Sequence, residues 1–594
     1  MYWLKIGKLM KLKTGNRKLT AVVSLAVLSA AAGVALAQLE GGPPMIPGIA
    51  SQPAKNNDQP ITIVQPAIDK QNHQITIPAA FWNQHMTTWV EVALCGRPSD
   101  FLHETIACVT TTKDILMRSM REAGFRDADF WVGNVEDFPR IRGDRALILL
   151  EFTQAGKKQT YALDELLTFQ GWGVSAGPNG WMFKGDPERA TRAVDQEGEK
   201  IFGPAATKPA VDAPKETPAA KDPDADRTRI LRDDPQVALQ FKGIQHLSQS
   251  FMDNPIAYEN WVYPVMRFGR NYRLLTEKLY DSNGDVPVTL IIRKVTEEQF
   301  LTQIAGVWHD EKCREYILKQ LPVAQQIDKD KAELEALIPE FKKLHEIPVE
   351  ERDAIKQDQV FGKTSALAAS IEKGYATLDG AWGIWAADHP VYEAENNDEL
   401  ELIKNQVKLW REHMQLTQLR AEQLSAAENA AYQQKVLSHE AQTPEVKAKI
   451  AHLRGVELEA RSNAIIAGNK HPAEYWKSER SRLNPQDDPR TDWIRHVQLQ
   501  VDMANAREVA AHAGITYGQA LQSGADVTAS QLAYAKAVGQ LNVVNLQLNL
   551  ADINFEISKR DGFDDDPELP ALRKQKAALE ARLKSLEAAT QPAK

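Results

Sequence analysis

The sequence has few cysteines and none at a metal-binding or redox spacing. Its 594 residues include three cysteines, Cys95, Cys108 and Cys313, so at least one thiol has no cysteine partner within the chain. The absence of Cys-x-x-Cys excludes thioredoxin-like, haem-attachment and zinc-ribbon patterns. The absence of His-Glu-x-x-His excludes the zincin class of metalloproteases.

Long apolar runs are confined to the N-terminus. Residues 1–18 carry six basic and no acidic side chains, and the mostly apolar run 19–37 ends in Ala-Leu-Ala. This layout predicts a secretory signal peptide cleaved before Gln38. The alternative is an uncleaved membrane anchor, because the run is just long enough to span a bilayer. No later segment reaches eighteen consecutive apolar residues, so we expect no membrane span after cleavage.

The composition is that of a folded protein with an acidic surface. Hydrophobic residues make up 43% and charged residues 25% of the chain, and the formal net charge is −9. Removal of the basic leader makes the mature chain still more acidic. Nucleic-acid phosphates repel such a surface, so we expect no nucleic-acid partner.

Composition and periodicity predict an α+β N-terminal domain followed by a mostly α-helical, partly coiled-coil C-terminal region. Five prolines recur among Ala, Lys and Asp within 203–228, a pattern typical of an extended linker or insertion. The predicted segments are the signal peptide (1–37), a disordered segment (38–59), an α/β domain (60–202), the Pro/Ala-rich linker or insertion (203–228), an α/β remainder ending in a hairpin at Asn283 and Gly284 (229–295), a helical region (296–484) and a helical hairpin or coiled-coil region (485–594).

The last region carries an apolar stripe that needs a partner surface. Leu541, Val544, Leu548 and Phe555 keep a heptad register. Such a stripe packs either within its own chain or on a partner, and these four residues are our candidate partner-binding residues. A partner seam would also allow a homo-oligomer through the helical region. The alternation of Val544, Leu546, Leu548 and Leu550 resembles a strand, but the length of the pattern favours a helix.

The segment "WVEVALCGRPSDFLHETIACV", residues 89–109, reads as strand, turn, strand. A turn near Ser99 would place Cys108 about 13 Å along the partner strand from the residue opposite Cys95. A disulfide between them would need a much wider loop or a different strand pairing. Cys95, His103, Glu104 and Cys108 are acceptable metal ligands. On adjacent strands, however, His103 and Glu104 point to opposite faces, so the sequence favours a structural role and no metal.

This segment, followed by "KDILMRSMREAGF" and "GWMFKG", resembles the YdjY domain family over about residues 60–185. The Cys-Gly, His-Glu and Trp-x-Phe-x-Gly elements carry the resemblance. It implies a fold unit and a cell-envelope setting, as in exported proteins of planctomycete-type bacteria. It implies no catalytic residue.

The sequence therefore favours a noncatalytic binding or structural protein of the periplasm or cell envelope, without a cofactor. We expect its partner to be a protein or an envelope component. The alternative is a metal-binding protein or hydrolytic enzyme that uses a pocket near Cys95, His103 and Glu104.

Export is testable at the N-terminus. We expect protein isolated from native cells to begin at Gln38, because the apolar run ends in a small-residue cleavage site. N-terminal sequencing measures this directly. Membrane-bound protein that retains Met1 would instead support the anchor.

Overall fold

A computed structural model provides the coordinates, which describe part of the chain. The described residues are 63–81, 92–96, 105–111, 113–126, 144–154, 156–166, 168–169, 174–175, 178, 181–183, 237–241, 256–258, 286–347, 351–389, 397–483, 491–560 and 569–590. The predicted signal peptide, the segment 38–59 and the Pro/Ala-rich segment 203–228 lie outside them. No helix within these ranges is both long and apolar enough to cross a membrane.

The chain forms strands first and long helices afterwards. The strands are β1 (Ala67–Asp69), β2 (Gln74–Phe81), β3 (Val92–Gly96), β4 (Thr105–Val109), β5 (Arg145–Gln154), β6 (Lys157–Ala162), β7 (Thr168–Phe169), β8 (Val174–Ser175), β9 (Trp181–Phe183), β10 (Val237–Phe241), β11 (Ile256–Tyr258) and β12 (Val286–Val295). The helices are α1 (Lys113–Glu122), α2 (Glu297–Val307), α3 (Glu311–Lys319), α4 (Leu321–Glu346), α5 (Ala354–Asp388), α6 (Asn397–Ser438), α7 (Pro444–Arg482), α8 (Thr491–Ser523), α9 (Thr528–Arg560) and α10 (Leu569–Thr590), and a 3-10 turn spans Leu163–Leu166. The predicted α+β part followed by a mostly helical part is confirmed.

Ten strands form one mostly antiparallel sheet. Its order is β1-β2-β12-β5-β9-β11-β10-β3-β4, with β6 paired to β5. β4 also pairs with β2, so the strand order returns on itself. The pairs β10–β11 and β3–β4 are parallel, and β7 and β8 form a separate two-stranded sheet.

Strand β12 lies inside this sheet although it comes last in the chain. It pairs with β2 over residues 286–293 and with β5 over residues 289–295. The turn predicted at Asn283 and Gly284, and the strand predicted before it, lie outside the described residues. The position of β12 also makes 203–228 an insertion within the sheet domain, since the sheet continues after it.

The sheet core follows from continuous apolar sequence. Five consecutive β5 residues from Ala146 to Leu150 are at most 6% exposed. A strand that buries successive residues is covered on both faces, which is why it does not alternate polar and apolar positions. Ile75 and Ile77 of β2 are also fully buried, as expected for positions i and i+2 on one face.

A buried ion pair joins the sheet to α2. Arg145, the first residue of β5, donates from Nε and Nη2 to Oε2 of Glu297 at 2.9 and 2.7 Å. Both side chains are at most 4% exposed. Glu297 is the first residue of α2, and the backbone N–H groups of Glu297 and Glu298 donate to the carboxylate of Asp328 in α4. These charged contacts join the start of β5 to the first residues of α2, and those residues in turn to α4.

The described chain divides into two compact units. The sheet unit takes in the described parts of Gln38–Asp330 and also Thr377–Arg411, whereas the helical unit comprises Lys331–Ala376 and Glu412–Lys594. The sheet unit therefore includes α2 and α3, while the sequence predicted a boundary at residue 296. The difference arises because α2 buries apolar residues such as Phe300 and Ile304 and pairs its first residue with β5.

In the helical unit, successive helices run antiparallel. Gly362 of α5 faces Tyr432 of α6, and Arg461 of α7 pairs with Glu428 of α6 at 2.8 Å. A second contact sets each direction: Asp358 of α5 meets His439 of α6, and Glu412 of α6 meets Lys470 of α7. α9 and α10 also pack against each other, as the sequence predicted for 529–558 and 569–589.

Helices α7 and α8 pack closely through small residues at a seven-residue spacing. A methyl group added to Gly518 would lie 2.7 Å from the carbonyl oxygen of Gly455. Further along, the Asn469 side-chain amide donates to the carbonyl oxygen of Ala504 at 2.8 Å. The small residues that repeat at this spacing are Gly455, Ser462 and Asn469 on α7, and Ala504, Ala511 and Gly518 on α8. They let the two backbones approach closely.

The close contact between α7 and α8 predicts that adding one methyl group there lowers the free energy of unfolding. Gly518→Ala should lower the free energy of unfolding by about 1–3 kcal/mol, because the new Cβ overlaps the Gly455 carbonyl. Gly306→Ala is the control, since nothing lies within 4 Å of a Cβ built on that helical glycine. It should leave stability unchanged or raise it by up to about 1 kcal/mol. Denaturant unfolding followed by circular dichroism compares the two, and equal effects would contradict the close approach.

Candidate functional site

The structure brings Cys95 and Cys108 to neighbouring positions. β3 and β4 are parallel, and their register places Cys95 opposite Cys108. The predicted antiparallel strand–turn–strand is therefore wrong, and so is the separation of about 13 Å that rested on it. Neighbouring strands set the directions: β4 pairs antiparallel with β2, and β3 pairs antiparallel with β10.

Two of the four candidate metal ligands, His103 and Glu104, lie outside the described residues. Cys108 is 2% exposed and belongs to the sheet core. Within the described ranges, no group of three or more His, Cys, Asp or Glu side chains is placed to hold a metal ion.

Three of the four candidate partner-binding residues pack inside the chain. Leu548 is 8% exposed and contacts Leu499 and Met503 of α8, and Leu541 and Val544 pack against the same cluster. α8 therefore covers Leu548, whereas Leu541 and Val544 are only partly buried against this cluster, and their partner-binding role stays a prediction. Phe555 is 50% exposed.

The sheet unit also contains a histidine–carboxylate pair that the sequence analysis missed. Glu165, in the 3-10 turn, accepts the backbone N–H of His309 at 2.8 Å, and its other oxygen lies 3.0 Å from His309 Nδ1. His309 lies between α2 and α3, where Trp308 ends one helix and Asp310 caps the next. One carboxylate oxygen of Glu165 thus contacts the backbone of His309 and the other contacts its ring. These two contacts hold the imidazole in one orientation relative to the 3-10 turn.

An aromatic ring holds this imidazole on its face. The Tyr161 ring stacks on the His309 ring with centroids 3.9 Å apart. Tyr161 is 8% exposed, and burial, followed by the nearby Glu165 charge, raises the pKa of its hydroxyl. Tyr161 therefore stays neutral and acts here as a packing surface.

The Cys313 thiol, which lies near this cluster, is a poor candidate for nucleophilic chemistry. Cys313 is one turn beyond His309 and 2% exposed. Burial, with the charges of Asp310 and Glu165, raises the pKa of the Cys313 thiol. A thiol kept protonated is a poor nucleophile. The cluster orients an imidazole whose Nε2 could accept a proton or bind a metal, but Cys313 does not complete a cysteine–histidine pair.

No sequence pattern pointed to this cluster. Glu165 and His309 are 144 residues apart, and neither belongs to a spacing motif. They meet because β12 inserts beside β5 and carries the following helices back to the first half of the sheet unit.

The helical unit contains a second histidine cluster. His413 of α6 and His471 of α7 have ring centroids 5.2 Å apart. The salt bridge between Lys470 and Glu412 lies beside them, and Glu474 is 3.8 Å from His471 Nδ1. Burial, and secondarily the neighbouring His471, lowers the pKa of His413 to about 4. His413 is therefore neutral at physiological pH.

Comparisons with known proteins add no relative: no family model, curated protein or solved structure matches the chain.

The pKa of His413 predicts a loss of stability in mild acid. The unfolded chain binds a proton near pH 6.5, whereas the folded chain binds it only near pH 4. Between these values the unfolded state holds more protons, so the free energy of unfolding falls as pH falls from 6.5 to 4. The contribution of this one site is roughly 2–3 kcal/mol.

Denaturant unfolding at pH 7 and pH 4.5 measures the loss. His413→Gln should reduce it, because glutamine does not titrate. His512→Gln is the control, since His512 is 63% exposed on α8, and it should keep the wild-type loss. An equal loss in wild type and His413→Gln would contradict the assignment.

Proposed function

We propose that this chain is an exported, noncatalytic binding or structural protein of the periplasm or cell envelope. A YdjY-type domain forms its N-terminal part, and a helical, partly coiled-coil part holds a protein or envelope partner. Export is supported by the basic leader, the apolar run and the Ala-Leu-Ala site.

The antiparallel helical unit carries this proposal. Helices α6, α7, α8 and α9 are 42, 39, 33 and 33 residues long. The small residues of α7 and α8 repeat every seven residues, the period of a coiled-coil seam. Each long helix packs against the helices next to it in the chain, so its opposite face is available to bind another molecule.

The proposed contact surface lies on α9, outside the part covered by α8. Phe555 is 50% and Leu532 70% exposed, while Leu548 between them is buried. Burying large apolar side chains on a partner would contribute roughly 1.5–3 kcal/mol each. We assign the partner contact to these two residues.

Retention of an envelope component tests this assignment. The full mature chain, immobilised, should retain a discrete component of envelope extract in stoichiometric amount. The double variant Leu532→Glu/Phe555→Glu should lose it, because two charges replace the exposed apolar contacts. Its melting temperature should stay near that of wild type, since exposed substitutions usually change stability by less than about 0.5 kcal/mol.

Gln531→Glu is the matched control. Gln531 is exposed beside Leu532, so this change adds a charge without removing an apolar group, and it should keep the component. Retention by the double variant would refute the α9 surface. Failure of the wild type to retain any component, together with stoichiometric metal in the purified protein, would instead favour the metal-binding or hydrolytic alternative.

A further inference from the structure

The register of β3 and β4 has a chemical consequence for the two cysteines. Leu94 lies opposite Ala107, Cys95 opposite Cys108 and Gly96 opposite Val109. Adjacent strands are about 4.7–4.9 Å apart. A disulfide requires Cα atoms about 4.4–6.8 Å apart. In-register positions of parallel neighbours also share one face of the sheet, so the backbone placement meets the first requirement for a bridge.

We propose that Cys95 and Cys108 form a disulfide bond that fastens β3 to β4. The inference rests on the proposed export, because disulfides persist in oxidising compartments such as the periplasm. It also uses the strand direction that only the folded chain reveals.

The third cysteine is a poor competitor for either partner. Cys313 lies in α3, outside the β3–β4 pair, whereas Cys95 and Cys108 are register partners. Its raised thiol pKa also leaves little thiolate for exchange.

The bond forms by two exchange steps with a small disulfide oxidant such as oxidised glutathione. The thiolate of one cysteine attacks the oxidant, forms a mixed disulfide and releases one small thiolate. The second cysteine, after losing its proton, attacks the protein sulfur of that mixed disulfide and releases the second small thiolate. The protein loses two protons and two electrons, and the oxidant takes them up to become two thiols.

The bridge would act where the strand order closes. β3 and β4 connect β10 to β2, and residues 97–104 join the two strands along the chain. A covalent link across this pair restricts the unfolded chain and opposes separation of the strands. We therefore expect reduction to destabilise the sheet unit.

Thiol counting on the purified full chain tests the proposal. The protein is incubated with oxidised glutathione, freed of it, denatured and treated with N-ethylmaleimide. Oxidised protein should carry a single adduct, at Cys313, and fully reduced protein should carry three. Digestion at Asp100 or Glu104, both between the two cysteines, should leave two peptides joined until a reductant is added. Trypsin is unsuitable because Pro98 follows Arg97.

Variants identify the pair. Cys313→Ser should keep the joined peptides, and Cys108→Ser should lose them. Reduction should lower the melting temperature of wild type by several degrees and leave the double variant Cys95→Ser/Cys108→Ser unchanged. Three adducts after oxidation, glutathione mixed disulfides alone, or a bridge that contains Cys313 would overturn the inference.

Counting free thiols in protein taken directly from cells distinguishes the proposed disulfide from the proposed export. A bridge formed in vitro, with three thiols in the native protein, would support the strand geometry and contradict export. Failure to bridge in vitro would overturn the disulfide whatever the compartment.

Discussion

The ion pair between Arg145 and Glu297 is the constraint on which the sheet unit depends. It joins the first residue of β5 to the first residue of α2, with both side chains buried. The guanidinium also lies 5.1 Å from the centre of the Phe300 ring. Removing either partner of such a pair leaves an uncompensated charge in an apolar interior, which typically costs about 3–5 kcal/mol. The pair places α2 on the sheet, and α2 in turn carries His309 to Glu165.

Different interactions stabilise the interior of each unit. The sheet unit combines large apolar side chains, such as Trp181 and Phe183, with charged contacts at its edges. Asp144, for example, accepts from Lys294 at 2.7 Å and from Arg126 at 3.0 Å. Burial raises the pKa of its carboxyl, but the hydrogen bonds from Arg126 and Lys294 together outweigh it and lower the pKa. In the helical unit, small residues allow close backbone contact, and ion pairs such as Arg461 with Glu428 are partly exposed. Its stability therefore depends on the absence of side chains at a few positions.

Some elements could be predicted from local patterns because short-range forces decide them. The Thr296 side chain and Gln299 form a reciprocal cap at the start of α2, and apolar periodicity predicted the helices that became α9 and α10. The same periodicity could not say what covers the Leu548 stripe, since an internal partner and an external one require the same residues. Burial on α8 assigned that stripe to the interior and left Phe555 outside.

The sequence by itself determined that an α+β part precedes a mostly helical part, that the chain is acidic and that it has few cysteines, because propensity, periodicity and charge are properties of neighbouring residues. Only the tertiary structure decided the direction of β4, the insertion of β12 between β2 and β5, and the meeting of Glu165 with His309. These depend on which distant segments share hydrogen bonds and buried surface. The sequence of a strand does not indicate whether it pairs parallel or antiparallel with its neighbour. Cys95 and Cys108 lie opposite each other only because pairing with β10 and β2 sets the directions of β3 and β4.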